Sequence, residues 1–119
     1  MQRFCYAADL KDDDNLIEEY ERWHRSENSW PEINESITGS GITRMEIYRV
    51  GNRLFMIVEA DDDFDPRKKE DMDATNPIVQ RWENLMWQYQ QPLPWAAIGE
   101  KWVKMEKIFD LQATSSITN

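Results

Sequence analysis

The stretch Tyr20-Glu21-Arg22-Trp23-His24 contains the single histidine of the chain. A tyrosine and a histidine four residues apart lie side by side on one helical turn, and Trp23 flanks them. An imidazole titrates near neutral pH and can both give and take a proton, so the pair suits general acid–base chemistry. The same spacing also suits a polar spot on a core-facing stripe, and many helical histidines are structural. Spacing alone leaves both readings open.

Other chemistries find less support. The acidic cluster Asp61-Asp62-Asp63-Phe64-Asp65 lacks the sixth-position glycine and twelfth-position glutamate of a calcium loop, and reads as a solvated loop. One histidine and one cysteine, Cys5, do not make a zinc site of the usual kind. There is no glycine-rich phosphate loop and no nucleophile-elbow serine.

The elements that must position His24 belong to a chain of 119 residues, 40% hydrophobic and 31% charged. That size and balance predict one globular domain over residues 1–111 and a polar tail over 112–119. No apolar run approaches the ~20 residues that span a bilayer, and the N-terminal segment lacks a secretory pattern. With a lone Cys5 and no intrachain disulfide to form, a cytoplasmic protein is expected. The net charge of −9 repels phosphate backbones and anionic membranes, which argues against nucleic-acid and membrane partners.

"RFCYAA" reads as a first strand. Asp12-Asp13-Asp14 supplies the cap and first-turn carboxylates of a helix whose face carries Leu16, Ile17, Tyr20, Trp23 and His24. Pro31 starts a second short helix that ends at Gly39 and Gly41. "ITRMEIYRV" and "RLFMIVEA" form a hairpin around Gly51-Asn52, and residues 61–76 read as a charged loop. Asn76 and Pro77 open a third helix with Ile78, Trp82, Leu85, Met86 and Tyr89 on its apolar face. "QPLPWAAIGE" is a proline-punctuated connection, and "KWVKMEKIFDL" alternates as a last strand.

This order predicts an α+β fold, the ferredoxin-like β-α-β-β-α-β sandwich, whose helices cover one face of the sheet. Leu54-Phe55-Met56-Ile57-Val58 is apolar at every position, the pattern of a strand covered on both sides. A homodimer packed sheet to sheet, closing a dimeric α+β barrel, would cover the second face.

Three segments in register resemble a known family. "EEYERWHRSENSWPEI" is similar to the Tyr-x-x-x-His…Trp-Pro-Glu segment of the L-rhamnose mutarotase family, "RMEIYRVGNRLFMIVEA" to its central hairpin, and "VQRWENLM" to its Gln-Arg-Trp helix. The likeness continues to "KMEKIFDL". The resemblance implies a dimeric ferredoxin-like (α+β barrel) enzyme that interconverts the anomers of a deoxy sugar without metal or cofactor. It implies that His24 is the proton donor, serving the ring oxygen, and that Tyr20 and Trp82 contact the sugar. Two positions depart from the pattern of the rhamnose enzymes: Met45 stands where they carry a tyrosine, and Glu83 where they carry a second tryptophan. Met45 could meet the sugar's C6 methyl, and Glu83 could bind hydroxyls, act as the base, or be a solvated helix carboxylate. Glu46 is the other candidate base. The run from Gln80 to Leu111 is most similar to the branch associated with L-fucose. The partners implied are a small deoxy sugar and a second copy of the chain. Cofactor-independent monooxygenases and haem-degrading enzymes share the expected fold and are rival readings, as is a non-catalytic sugar-binding dimer.

Overall fold

Three long strands frame the structure, a computed structural model that describes residues 1–112. They are β1 (Gln2–Leu10), β2 (Ile42–Val50) and β3 (Arg53–Ala60), joined antiparallel in the order β2-β3-β1. Helices α1 (Asp14–Trp23) and α2 (Pro31–Thr38) link β1 to β2, with a 3-10 turn at Ser26–Asn28 between them. Helices α3 (Pro66–Thr75) and α4 (Pro77–Trp87) follow β3, and two short strands, β4 (Gln90–Gln91) and β5 (Val103–Lys104), pair with the far edge of β1. The expected α+β class is thus present, and the sheet is antiparallel. No described helix is long and apolar enough to cross a membrane.

Local chemistry explains several of these boundaries. The Asp13 carboxylate accepts from the backbone N–H groups of Asn15 and Leu16, and Asn76 caps α4 in the same manner ahead of Pro77. Gly51 adopts φ +57°, which the two-residue hairpin turn between Val50 and Arg53 requires. The Asn52 side chain then donates to the Leu10 carbonyl at 3.0 Å and ties that turn to the end of β1.

The helices cover one sheet face. Ala8, Leu10 and Leu54 pack against Tyr20, Met86 and Tyr89, while Ile42, Met56, Val58, Ala60 and Phe64 form a second cluster. On the opposite face Phe55 and Ile57 are half-buried. A bulge at the start of β2 pairs Ile42 with Ala60 and Arg44 with Glu59, leaving Thr43 as the extra residue. Ile42 and Met45 are three residues apart, which would place them on opposite faces of a regular strand. The bulge turns both toward the helices, where both join the second cluster.

Two expectations are corrected. Residues 61–76 are not all loop, because α3 occupies Pro66–Thr75. Its start has the usual chemistry: the Asp65 side chain accepts from Arg67 and Lys68, Pro66 holds the first turn, and Lys69 pairs with Asp73 at 2.8 Å. A helix polar on all sides shows no apolar periodicity, so the stretch resembles a loop. The last strand is also shorter than "KWVKMEKIFDL". After Val103–Lys104 and one further bond from Met105 N–H to the Cys5 carbonyl, the segment leaves β1. Ile108 and Phe109 are then 92% and 68% exposed, with no strand beside them among the described residues. The expected polar tail lies, from residue 113 onward, outside the described residues.

Leu54, 1% exposed, joins β3 to β1 and α1. We expect Leu54→Ala to lower the unfolding free energy by about 2–5 kcal/mol in urea denaturation. A loss within experimental error would show that this cluster does not hold the sheet to the helices.

Candidate active site

The end of α1 builds the site. His24 is its C-cap residue, and its backbone N–H turns to the Glu21 carbonyl at 3.1 Å instead of continuing the ladder to Tyr20. The imidazole supplies the bond that Tyr20 would otherwise receive, with Nδ1 2.8 Å from the Tyr20 carbonyl oxygen. A carbonyl only accepts, so Nδ1 carries the proton and the neutral ring keeps its lone pair on Nε2. Nε2 has no partner among the described residues.

Aromatic rings surround this nitrogen. The Tyr20 ring centroid is 4.3 Å from that of His24, and the Trp82 ring stands edge-on at 5.7 Å. Trp30, which precedes Pro31 at the start of α2, packs on Trp82 at 5.0 Å. Trp23 meets Trp82 at right angles and anchors its Nε1 on the Tyr89 hydroxyl at 3.0 Å. Between these rings and the sheet opens a cleft of about 670 Å³, within the range of small-molecule sites.

All five residues singled out by sequence, Tyr20, His24, Met45, Trp82 and Glu83, line this one cleft. Glu46 does not. It sits on the opposite face of β2, bonded to Arg44 and Tyr48, which removes it as a candidate base. Among the described residues no three His, Cys, Asp or Glu side chains are grouped to hold a metal ion.

The electrostatics favour neutral groups. His24 is an exposed residue at the cleft surface, yet the atoms packed around it desolvate the ring. That desolvation, partly offset by the Tyr20 carbonyl bond, holds its pKa below the usual 6.5. Tyr20 is buried, and burial followed by the nearby Glu83 charge raises its phenol pKa, so it stays protonated across the neutral range.

Three cleft residues carry no signal of their role in the sequence: Lys101, Gln90 and Trp30. The Lys101 ammonium, 7% exposed, donates to the Glu83 carboxylate at 2.6 Å and to the Glu83 carbonyl at 3.1 Å. It also lies 5.0 Å from the Trp87 ring centroid. Burial lowers its pKa against the opposing pull of Glu83. Glu83 is therefore a held carboxylate and not a free surface one. The Gln90 carboxamide is buried, and its Nε2 has no hydrogen-bond partner among the described residues. An unpaired buried donor costs about 1–3 kcal/mol. Glu83 and Lys101 are joined only by folding, so no local pattern could mark them as a pair. Trp30 belongs to the Trp-Pro-Glu segment, but its packing on Trp82 is likewise a product of the fold.

Residues 3–111 match the family model described as L-rhamnose mutarotase. The chain is similar to the L-fucose mutarotase of Xanthomonas campestris pv. campestris, at 47% identity over 98% of this chain and 94% of the relative. A UPF0734 protein of Dictyostelium discoideum is 38% identical over 91% of this chain and 88% of its own length. The fold is similar to the crystal structure of an L-rhamnose mutarotase from Formosa agariphila, with TM-score 0.68, 20% identity, and coverage of 93% and 99% of the two chains. It is also similar to tetracenomycin F2 cyclase of Streptomyces glaucescens, with TM-score 0.60, 18% identity, and coverage of 92% and 96%.

One histidine makes titration simple to read. Its ring-proton NMR signal should titrate with a midpoint below 6.5, because the folded state disfavours the charged ring. The unfolded chain then takes up that proton first, so folding stability should fall as pH drops below about 6.5 through the folded midpoint. A midpoint above 6.5 would mean a carboxylate, not desolvation, governs the ring.

Proposed function

The chain belongs to the L-rhamnose mutarotase family, and from that membership we infer that it is a mutarotase, an isomerase that interconverts the α and β anomers of a 6-deoxy-L-hexose. We propose L-fucose as the preferred sugar, on the 47% identity to an L-fucose mutarotase and on Glu83, a hydroxyl-binding candidate where the rhamnose enzymes carry a second tryptophan. The observation that carries the chemical assignment is the free Nε2 of His24, facing no protein partner in a cleft walled by Tyr20 and Trp82.

Mutarotation needs only proton transfers and a bond rotation. His24 Nε2 accepts the proton of the anomeric hydroxyl, the C1–O1 bond becomes the aldehyde, and the C1–O5 bond breaks. The imidazolium returns the proton to O5, which shares carbon C1 with the oxygen that gave it up. Rotation about C1–C2 presents the other carbonyl face, and the reverse steps close the ring. The expected role of His24 as donor to the ring oxygen is thereby kept, preceded by its action as base. That order follows from a ring held neutral by desolvation. The Tyr20 phenol, protonated throughout, hydrogen-bonds a sugar oxygen. Trp82 lies against the apolar side of the pyranose, Met45 receives the C6 methyl, and Glu83 accepts from a hydroxyl.

The working unit in this proposal is a homodimer packed through the uncovered sheet face, closing the barrel. Phe55 and Ile57 are half-buried there, and Tyr48 and Val50 are exposed beside them. The apolar residues Ile108 and Phe109 are likewise exposed among the described residues. The free thiol of Cys5 accords with a cytoplasmic setting.

Saturation-transfer NMR between the anomeric signals of L-fucose should show exchange accelerated by the protein. His24→Ala should lower it by about 10²–10⁴-fold, and the wild-type rate should fall as pH drops through the His24 midpoint. A folded His24→Ala protein with full exchange would sink the assignment, and saturable binding without exchange would favour a sugar-binding module. Sedimentation should give twice the 14.3 kDa chain mass, and Ile57→Lys should shift it to the monomer. A monomer in the unmodified protein would overturn the dimer.

A further inference from the structure

The proton transfers proposed for His24 leave one buried polar group in the cleft without a task. The β4 register pairs Gln90 with Leu10, and directly paired residues project to the same side of a sheet. Gln90 therefore points to the helix-covered side, where it lines the cleft with Glu83 and Lys101. It is 2% exposed, and Nε2 meets no acceptor among the described residues. Native proteins rarely keep such a group unless something satisfies it.

We propose that Gln90, with the Glu83–Lys101 pair, is a specificity subsite that reads the orientation of one secondary hydroxyl of the bound sugar. The proposal rests on the mutarotase reading for the identity of the sugar. A hydroxyl both accepts and donates. Gln90 Nε2 can donate to its oxygen while the Glu83 carboxylate accepts its proton. Lys101, holding Glu83 at 2.6 Å, fixes the acceptor's position. L-fucose and L-rhamnose differ only in configuration, at C2 and C4, so a fixed donor–acceptor pair can satisfy a hydroxyl at one of these carbons in one sugar and not in the other. A site built to bind a hydroxyl discriminates strongly, because the wrong substrate leaves its polar groups unpaired. The Met45 side of the cleft cannot do this, since both sugars carry the C6 methyl.

The test is Gln90→Met, which keeps the shape and removes both polar atoms. The ratio of kcat/KM between L-fucose and L-rhamnose should move at least tenfold toward one, with the larger loss on the preferred sugar. The melting temperature should hold or rise, because an unpaired donor has been removed. A residue that merely supports the fold would do the opposite, lowering the melting temperature and both rates together. Equal loss on the two sugars, an unchanged ratio, or a wild-type protein that does not distinguish them would overturn the subsite. If the wild type accelerates neither sugar, the mutarotase reading fails on its own. Saturation-transfer difference NMR then reads binding selectivity between the two sugars directly. Selectivity reduced in Gln90→Met upholds the subsite, and unchanged selectivity overturns it.

Discussion

The hydrogen bond from His24 Nδ1 to the Tyr20 carbonyl closes α1 and fixes the tautomer of the cleft's imidazole at once. A helix end leaves carbonyls without backbone partners, and something must satisfy them. Here the satisfying group is also the catalytic candidate, so its tautomer is fixed by the same contact that ends the helix. The lone pair on Nε2 is then a consequence of backbone geometry. Capping and chemistry cannot be varied separately at this position.

The sheet imposes the second constraint. Its helices lie on one face, so the cleft forms where α1, α2 and α4 fail to close completely over the strands. Met45 reaches that cleft only because the bulge at Thr43 changes the parity of β2. In a regular strand starting from a buried Ile42, Met45 would face the opposite side, beside Phe55 and Ile57. A single extra residue thus turns Met45 into the cleft and leaves the other face to Phe55 and Ile57.

Local patterns make most of the fold legible, and non-local pairings stay hidden. Caps at Asp13 and Asn76, the turn at Gly51-Asn52 and the Tyr20–His24 spacing are written within a few residues, and each element they mark is present. Helix α3 escapes such a reading because its stability comes from Asp65, Pro66 and the Lys69–Asp73 pair, none of which produces an apolar stripe. The last strand looks longer in sequence than in the fold because alternation reports a strand's habit and not whether a neighbour exists. For the site, His24 and Trp82 carry a pattern, whereas Lys101 and Gln90 acquire meaning only when β4 and the chain after it fold back on α4.

The same division bears on how such a site can work on an uncharged substrate. A surface of net charge −9 neither draws in nor repels a neutral sugar, so long-range steering contributes little. Recognition must come from ring contacts and hydrogen bonds inside the cleft. Those bonds are strongest where water is excluded, and the same exclusion depresses the charged form of His24 and raises the phenol pKa of Tyr20. An acid–base pair that is neutral at rest suits a reaction whose substrate, open-chain intermediate and product are all neutral. In the proposed mechanism the aromatic wall therefore acts twice: it offers a surface to the pyranose, and it keeps the imidazole in the form that can begin the proton transfer.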